Sequence, residues 1–285
     1  MMNGRIGAGQ AATRASLALA IALALGACSE TMNPSSKVAE VEAGPKAQES
    51  NAGNIDSLTE VIQRNPRDPA AYNTRGVVYA KLGRYSNAVD DFSHAIELDP
   101  HFSGAYTNRA LAYRQEKQDD LAMQDFNQAI SADPNGAAAY LGRGNLERAH
   151  DNYDAALADL NQAIRLNPEG AQAYHARGLI YQRQGNQAQA ITDFNNAIDR
   201  DPFAGAPYQA RGQSYLATGQ WQKAVDDFNA ALNVDDHNSE AWASLGLAYE
   251  KLGNRPKAAE AYRSAASLNP GNAEAKAGLA RVSAG

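Results

Sequence analysis

The chain has 285 residues, of which 44% are hydrophobic, 20% charged and 7% aromatic. Much of the apolar share is alanine, which favours close-packed helices over a β-sandwich rich in Val, Ile and Thr. Lys and Arg number 26 against 32 Asp and Glu, and this formal charge of −6 argues against non-specific binding of nucleic acid, which depends on neutralising phosphates. A single Cys rules out an intramolecular disulfide and argues against a Cys-based zinc site.

No acidic residue precedes Glu30, and Arg5 and Arg14 lead into an apolar run, Ala15 to Leu25. A helix of that run rises about 16 Å, too short for a bilayer core of about 30 Å. A cationic segment before a short apolar core reads as a secretory signal peptide over residues 1–27. Leu25-Gly26-Ala27-Cys28 then resembles the lipobox of bacterial lipoproteins. The resemblance implies cleavage before Cys28, a diacylglycerol on its sulfur and an acyl chain on the new amino terminus. This covalent lipid is the only added group expected, with no other cofactor. The alternative is an ordinary signal peptide with an incidental Cys. Two or three acyl chains anchor stably, at ~0.8 kcal/mol per buried methylene. Ser29 stands where an Asp would resemble an inner-membrane retention signal, which implies an outer-membrane, lipid-anchored protein on the periplasmic face. Processing removes two Arg and no acid, so the mature charge is 24 − 32 = −8.

Residues 28–54 carry the lipid and then mix Ser, Glu, Ala, Pro, Gly and Asn without an apolar period. They read as a flexible tether with a mean span of about 25–30 Å. A short amphipathic helix around Val38 and Val41 is the competing reading. Residues 55–68 read as a capping helix, residues 273–285 as a closing one.

Between the caps a 34-residue period runs without insertion over 69–272. Pro recurs at 66, 100, 134, 168, 202 and 270, with Asp236 at the missing register. Tyr72, Tyr106, Tyr140, Tyr174, Tyr208 and Trp242 share one position, and Gly76, Ala110, Gly144, Gly178, Gly212 and Gly246 another. Ala88, Ala122, Ala156, Ala190, Ala224 and Ala258 keep the period, as do Phe92, Phe126, Leu160, Phe194, Phe228 and Tyr262. This pattern resembles the tetratricopeptide repeat (TPR), six times over: 69–102, 103–136, 137–170, 171–204, 205–238 and 239–272. The resemblance implies an all-α fold, a TPR α-solenoid in which helix–turn–helix units wind into a right-handed superhelix. Gly83, Gly185, Gly219 and Gly253 fall where the first helix of a repeat must end left-handed. Asp151 and Lys117 take that place in the third and second repeats.

Five repeats carry Arg just before the small eighth residue (Arg75, Arg109, Arg143, Arg177, Arg211), and the same five carry Asp at the twenty-third position (Asp91, Asp125, Asp159, Asp193, Asp227). The sixth has Leu245 and Ala261, so both partners vanish together. This covariation inside one chain predicts Arg–Asp pairs joining a first helix to a second, within a repeat or between repeats. An anion-binding stripe is the competing reading. Glu147 replaces the Tyr of other repeats, with Arg143 one turn back as an available partner; the departure reads as functional or as mere drift.

In TPR proteins the first helix of each repeat lines a concave groove. Carried over, the resemblance implies a partner-binding groove of Asn73, Val77, Lys81, Thr107, Leu111, Arg114, Leu141, Asn145, Arg148, His175, Leu179 and Arg183. Lys81, Arg114, Arg148 and Arg183 would make it basic within an acidic protein, suited to an extended peptide with a carboxylate. The competing reading is a solvated helix face. Asn73 and Val77 stand where the carboxylate clamp of chaperone-binding relatives needs Lys and Asn, so no clamp is expected.

The five His fall in no metal-ligand spacing, and neither a nucleophile elbow nor a phosphate-binding loop occurs. No metal site and no enzymatic activity are expected. The combination of lipobox and TPRs resembles NlpI-type adaptor lipoproteins. It implies a scaffold that gathers envelope proteins such as peptidoglycan hydrolases or proteases. Assembly of an exopolysaccharide or protein export complex is the alternative.

Overall fold

A computed structural model describes residues 45–284, with side chains from Asn54 onward. The signal peptide, Cys28 and the first part of the expected tether lie outside the described residues. Among the described residues there are fourteen helices and no strand. α1 (Pro45–Arg64) precedes six pairs: α2 (Pro69–Lys81) with α3 (Tyr85–Leu98), α4 (Ser103–Gln115) with α5 (Asp119–Ala132), and α6 (Ala137–Ala149) with α7 (Tyr153–Leu166). Then come α8 (Ala171–Arg183) with α9 (Gln187–Arg200), α10 (Gly205–Ala217) with α11 (Trp221–Val234), and α12 (Ser239–Lys251) with α13 (Arg255–Leu268). α14 (Ala273–Ser283) closes the stack. Each helix packs on the one before and the one after, and the first helix of each repeat also touches its counterpart in the next. The result is an all-α TPR solenoid.

The packing explains the period. Phe92, Phe126, Leu160, Phe194, Phe228 and Tyr262 are wholly buried. A Cβ on Gly178 would stand 2.6 Å from the Phe194 ring, so the helices of that repeat close only because the atom is missing. α14 keeps two positions of a repeat's first helix. Its Ala275 is buried, and its Gly278 lies over the Tyr262 ring, so the last aromatic is roofed as the inner ones are.

The turns follow local chemistry. Gly83, Gly185, Gly219 and Gly253 have φ between +70° and +80°, and Lys117 and Asp151 adopt φ +60° at the same place. At the end of α3, Asp99 is extended and its Oδ1 accepts the His101 backbone N–H at 2.9 Å. The same turn forms at Asp133, Asp201, Asp235 and Asn269. This side-chain turn accounts for Asp236 in a register otherwise held by Pro: Asp235 stops α11 without the ring.

One boundary differs from expectation. α1 begins at Pro45, inside the stretch read as tether, and not at residue 55. Ile55 and Ile62 are buried and hold its C-terminal half. Once those turns are fixed, extending a helix adds one hydrogen bond per residue without renewed nucleation, and Pro suits its first position. No apolar period is needed for that. Among the described residues no helix is long and apolar enough to cross a membrane.

Candidate partner-binding groove and the arginine ladder

The five arginines are fully engaged. Arg75 donates from Nε and Nη2 to the two carboxylate oxygens of Asp91, at 2.8 and 2.7 Å. Arg109, Arg143, Arg177 and Arg211 grip Asp125, Asp159, Asp193 and Asp227 in the same way. The Asp side chains are buried, and their hydrogen bonds outweigh desolvation to raise each arginine's pKa above its ordinary value. Each guanidinium also stands 5.6–5.9 Å from the ring of the Tyr three residues before it. The pairs therefore join the two helices of a repeat, and their cations are spent internally, which removes the stripe reading.

Each guanidinium also makes a third bond. The remaining arm, Nη1, donates to Thr59, Ser93, Asn127, Asn161 and Asn195 respectively, in the second helix of the preceding repeat or in α1. These acceptors recur at the same 34-residue period as the arginines, a signal present in the sequence. The ladder is thus also an inter-repeat brace. In the sixth repeat Leu245 and Ala261 are buried and take the place of both partners within an apolar cluster.

The expected groove residues divide into three groups. Asn73 and Thr107 are buried inside the stack: Asn108 Nδ2 donates to Asn73 Oδ1 at 3.0 Å, and the Thr107 hydroxyl donates to the Ser103 carbonyl at 3.0 Å. Both are corrected from surface to packing residues: the next repeat's first helix meets Asn73 through Asn108, and buried Thr107 turns its hydroxyl onto its own helix. Val77, Leu111, Leu141 and Leu179 are half-buried, resting on the core clusters with one side open, and Asn145 is half-buried too. Lys81 and Arg183 are exposed, and Arg114 and Arg148 half-buried. His175 is half-buried with its ring 5.9 Å from Phe194; burial, helped by the Arg148 charge, pushes its pKa down to about 4. It is neutral at ordinary pH.

Two of the cations converge. Arg148 and Arg183 line an open cleft of about 580 Å³ with Asp151, Tyr153, Leu179 and Gln182. Arg148 Nε is buried without an acceptor, and burial lowers the pKa of that guanidinium. Glu147 makes no direct bond to Arg143, which is committed to Asp159 and Asn127, and only adds through its charge to the rise in that arginine's pKa. It accepts instead from Asn152 Nδ2 at 2.8 Å.

At the far end Arg281 of α14 clamps Glu250 through two bonds of 2.8 Å, and the Tyr262 hydroxyl donates to the same carboxylate at 2.7 Å. Glu250 is pulled down to about 2, chiefly by Arg281. Asp235, Asp236 and His237 form an exposed trio beside the last inter-repeat turn.

This architecture defines a class: a solenoid of braced helix pairs with an open first-helix face. Family models described as tetratricopeptide repeat match residues 69–102, 103–135, 171–204 and 210–283, and one described as TPR repeat matches 144–185. The chain belongs to the tetratricopeptide-repeat family and is by fold a protein-binding scaffold; the family is generally non-catalytic. No curated protein matches it. Among solved structures it is similar to one from the APC/C hetero-tetramer Cut9-Hcn1, with TM-score 0.72 and 19% identity over 81% of this chain and 46% of that one. The chain therefore spans less than half the length of that relative. It is also similar to Pseudomonas aeruginosa pilF, with TM-score 0.70 and 20% identity over 76% of this chain and 100% of that one. A third is PilW, described as a type IV pilus biogenesis factor, with TM-score 0.66 and 20% identity over 74% and 98%. At these identities the likeness is one of fold.

Proposed function

We propose that the chain is a non-enzymatic adaptor, held at the periplasmic face of the outer membrane by lipid on Cys28, that recruits envelope proteins through the first-helix face of its repeats. Peptidoglycan hydrolases and proteases are the expected clients. No cofactor takes part beyond the lipid. The observation that carries the reading is the division of labour among the basic residues. The five ladder arginines are consumed in bracing the stack, while Arg148 and Arg183 stand at an open cleft beside half-buried leucines. Cationic and apolar groups side by side on a rigid surface suit an extended peptide. Assembly of an export complex is the second reading. PilW, a pilus biogenesis factor by its description, has the same architecture, which supports that reading at the level of fold only.

The test is affinity capture from envelope extract with the full chain, beside a variant carrying Arg114→Glu, Arg148→Glu and Arg183→Glu. The adaptor reading expects hydrolases or proteases on the native chain and their loss on the variant. An unchanged set of captured proteins would refute binding through this face. Separately, Cys28→Ser should remove the acyl mass from the amino terminus and release the protein from the outer-membrane fraction.

A further inference from the structure

We propose that the cleft between the start of α7 and the end of α8 is a subsite for one carboxylate of an extended partner peptide, received by Arg148 and Arg183. This rests on the adaptor reading and gives it a ligand chemistry. Among the described residues three buried side-chain polar atoms lack a partner, and Arg148 Nε is the one donor; the others are Asn108 Oδ1 and Gln187 Oε1. A buried guanidinium donor without an acceptor is costly. The contrast with the ladder is direct, since each ladder arginine has an acceptor on Nε and on both terminal nitrogens. Little therefore holds the Arg148 head group in its seat, and an acceptor arriving in the cleft it lines draws it out.

The surroundings select the acceptor. Arg148 and Arg183 bring two positive charges and Asp151 one negative, so the lining carries 2 − 1 = +1. Asp151 is itself occupied, because the Tyr153 hydroxyl donates to its Oδ1 at 2.5 Å. A net charge of one matches a carboxylate better than a dianionic phosphate, and the planar guanidinium fork matches carboxylate geometry. Leu179 lines the same cleft and gives the carbon chain of a Glu or Asp side chain an apolar wall. The cleft uses the ends of the first helices, around the turns into the second helices, and not the buried positions of Asn73 and Thr107.

The experiment follows the arginine Nε–H resonances of the full chain by NMR. The probes are acetyl-Leu-Glu-Leu-amide, its Gln counterpart and inorganic phosphate. The expected result is a saturable shift of the Arg148 signal by the Glu peptide, with the Gln peptide weaker by at least about tenfold. Read by the Arg183 Nε–H signal, Arg148→Gln should lose the same factor, and Arg148→Lys, which keeps the charge but not the fork, should recover only part of it. An unmoved Arg143 Nε–H signal certifies the fold of each variant. If Arg148→Gln does not fold, Arg183→Gln decides by the Arg148 signal. Equal affinity for the Glu and Gln peptides, unchanged affinity in the folded variants, or saturation by phosphate but not by the Glu peptide would each overturn the subsite. Envelope capture separates the two claims. Undiminished capture by folded Arg148→Gln overturns the subsite and leaves the adaptor standing. A Glu peptide bound by a chain that captures no envelope protein supports the subsite and overturns the adaptor.

Discussion

Replacing Asp193 by Ala should destabilise the fourth repeat far more than replacing Asp193 and Arg177 together by apolar residues. The native pair has two charge-assisted bonds of 2.8 and 2.7 Å, between side chains that are 20% exposed for Arg177 and 3% for Asp193. Bonds of this kind contribute about 1.5–3 kcal/mol each. After Asp193→Ala the guanidinium keeps its 2.6 Å bond to Asn161 and some water, so the cost falls near the lower end of the sum, ~3 kcal/mol. Arg177→Leu strands a carboxylate with almost no access to water, again ~3 kcal/mol or more. The double variant copies the sixth repeat, where Leu245 and Ala261 are each 2% exposed. Burying the new Leu side chain contributes about 2 kcal/mol of hydrophobic stabilisation, and no charge is left unpaired. The double variant should therefore cost less than either single one, which leaves a coupling of ~3 kcal/mol or more. Urea unfolding gives the total. Hydrogen exchange of the α8 and α9 amides localises it, because a repeat array opens in parts. Strict additivity of the two single variants would refute the brace.

Acid should loosen the closing helix first. Glu250 sits at about 2 against an ordinary 4.5, so the stabilisation from its pairing with Arg281 is complete above about pH 4.5 and is lost as pH falls through 2. Amide exchange in α14 should accelerate across that window, and Glu250→Gln should abolish the pH dependence; acceleration unchanged in that variant would assign it elsewhere. Gly178→Ala places a Cβ 2.6 Å from the Phe194 ring and should cost about 1–3 kcal/mol in thermal or urea unfolding. Adding Ala210→Gly on the other side of that ring should recover part of the loss, and a double variant no better than the single one would count against a shared cavity.

The repeat register was legible because every unit meets the same packing demand, and a demand that recurs leaves a period in the sequence. The Arg–Asp pairs were legible for a further reason. The sixth repeat drops both partners, and one chain then contains its own double substitution. Their Thr, Ser and Asn acceptors carry the same period, but three residue types share the role, so the position reads as variable polar surface until the geometry shows what they touch. Asn73 and Thr107 were misplaced because a helix-face assignment fixes direction, not distance. The next first helix closes over Asn73, whereas Leu141 and His175 at the same repeat position stay half-buried. The unpartnered Arg148 Nε left no sequence trace at all, since a missing acceptor is a fact of three-dimensional surroundings.

Ala110 shows how far a register can be read and where it stops. It is the one alanine in a column otherwise occupied by glycine, and on the argument from Gly178 it should overpack Phe126. It does not, because the sixth position of the following repeat is Gly142, which lies against the same ring, where the corresponding neighbour of Phe194 is Ala210. The methyl group has moved from one side of the aromatic to the other. Between these two rings, Phe126 and Phe194, the space is thus shared between one repeat's eighth position and the next repeat's sixth, with one glycine and one alanine at each. A comparison down columns sees an exception at 110 and, at 142, only one more residue in a column that varies from Thr74 to Ser244. The contact between repeats turns them into one compensated change.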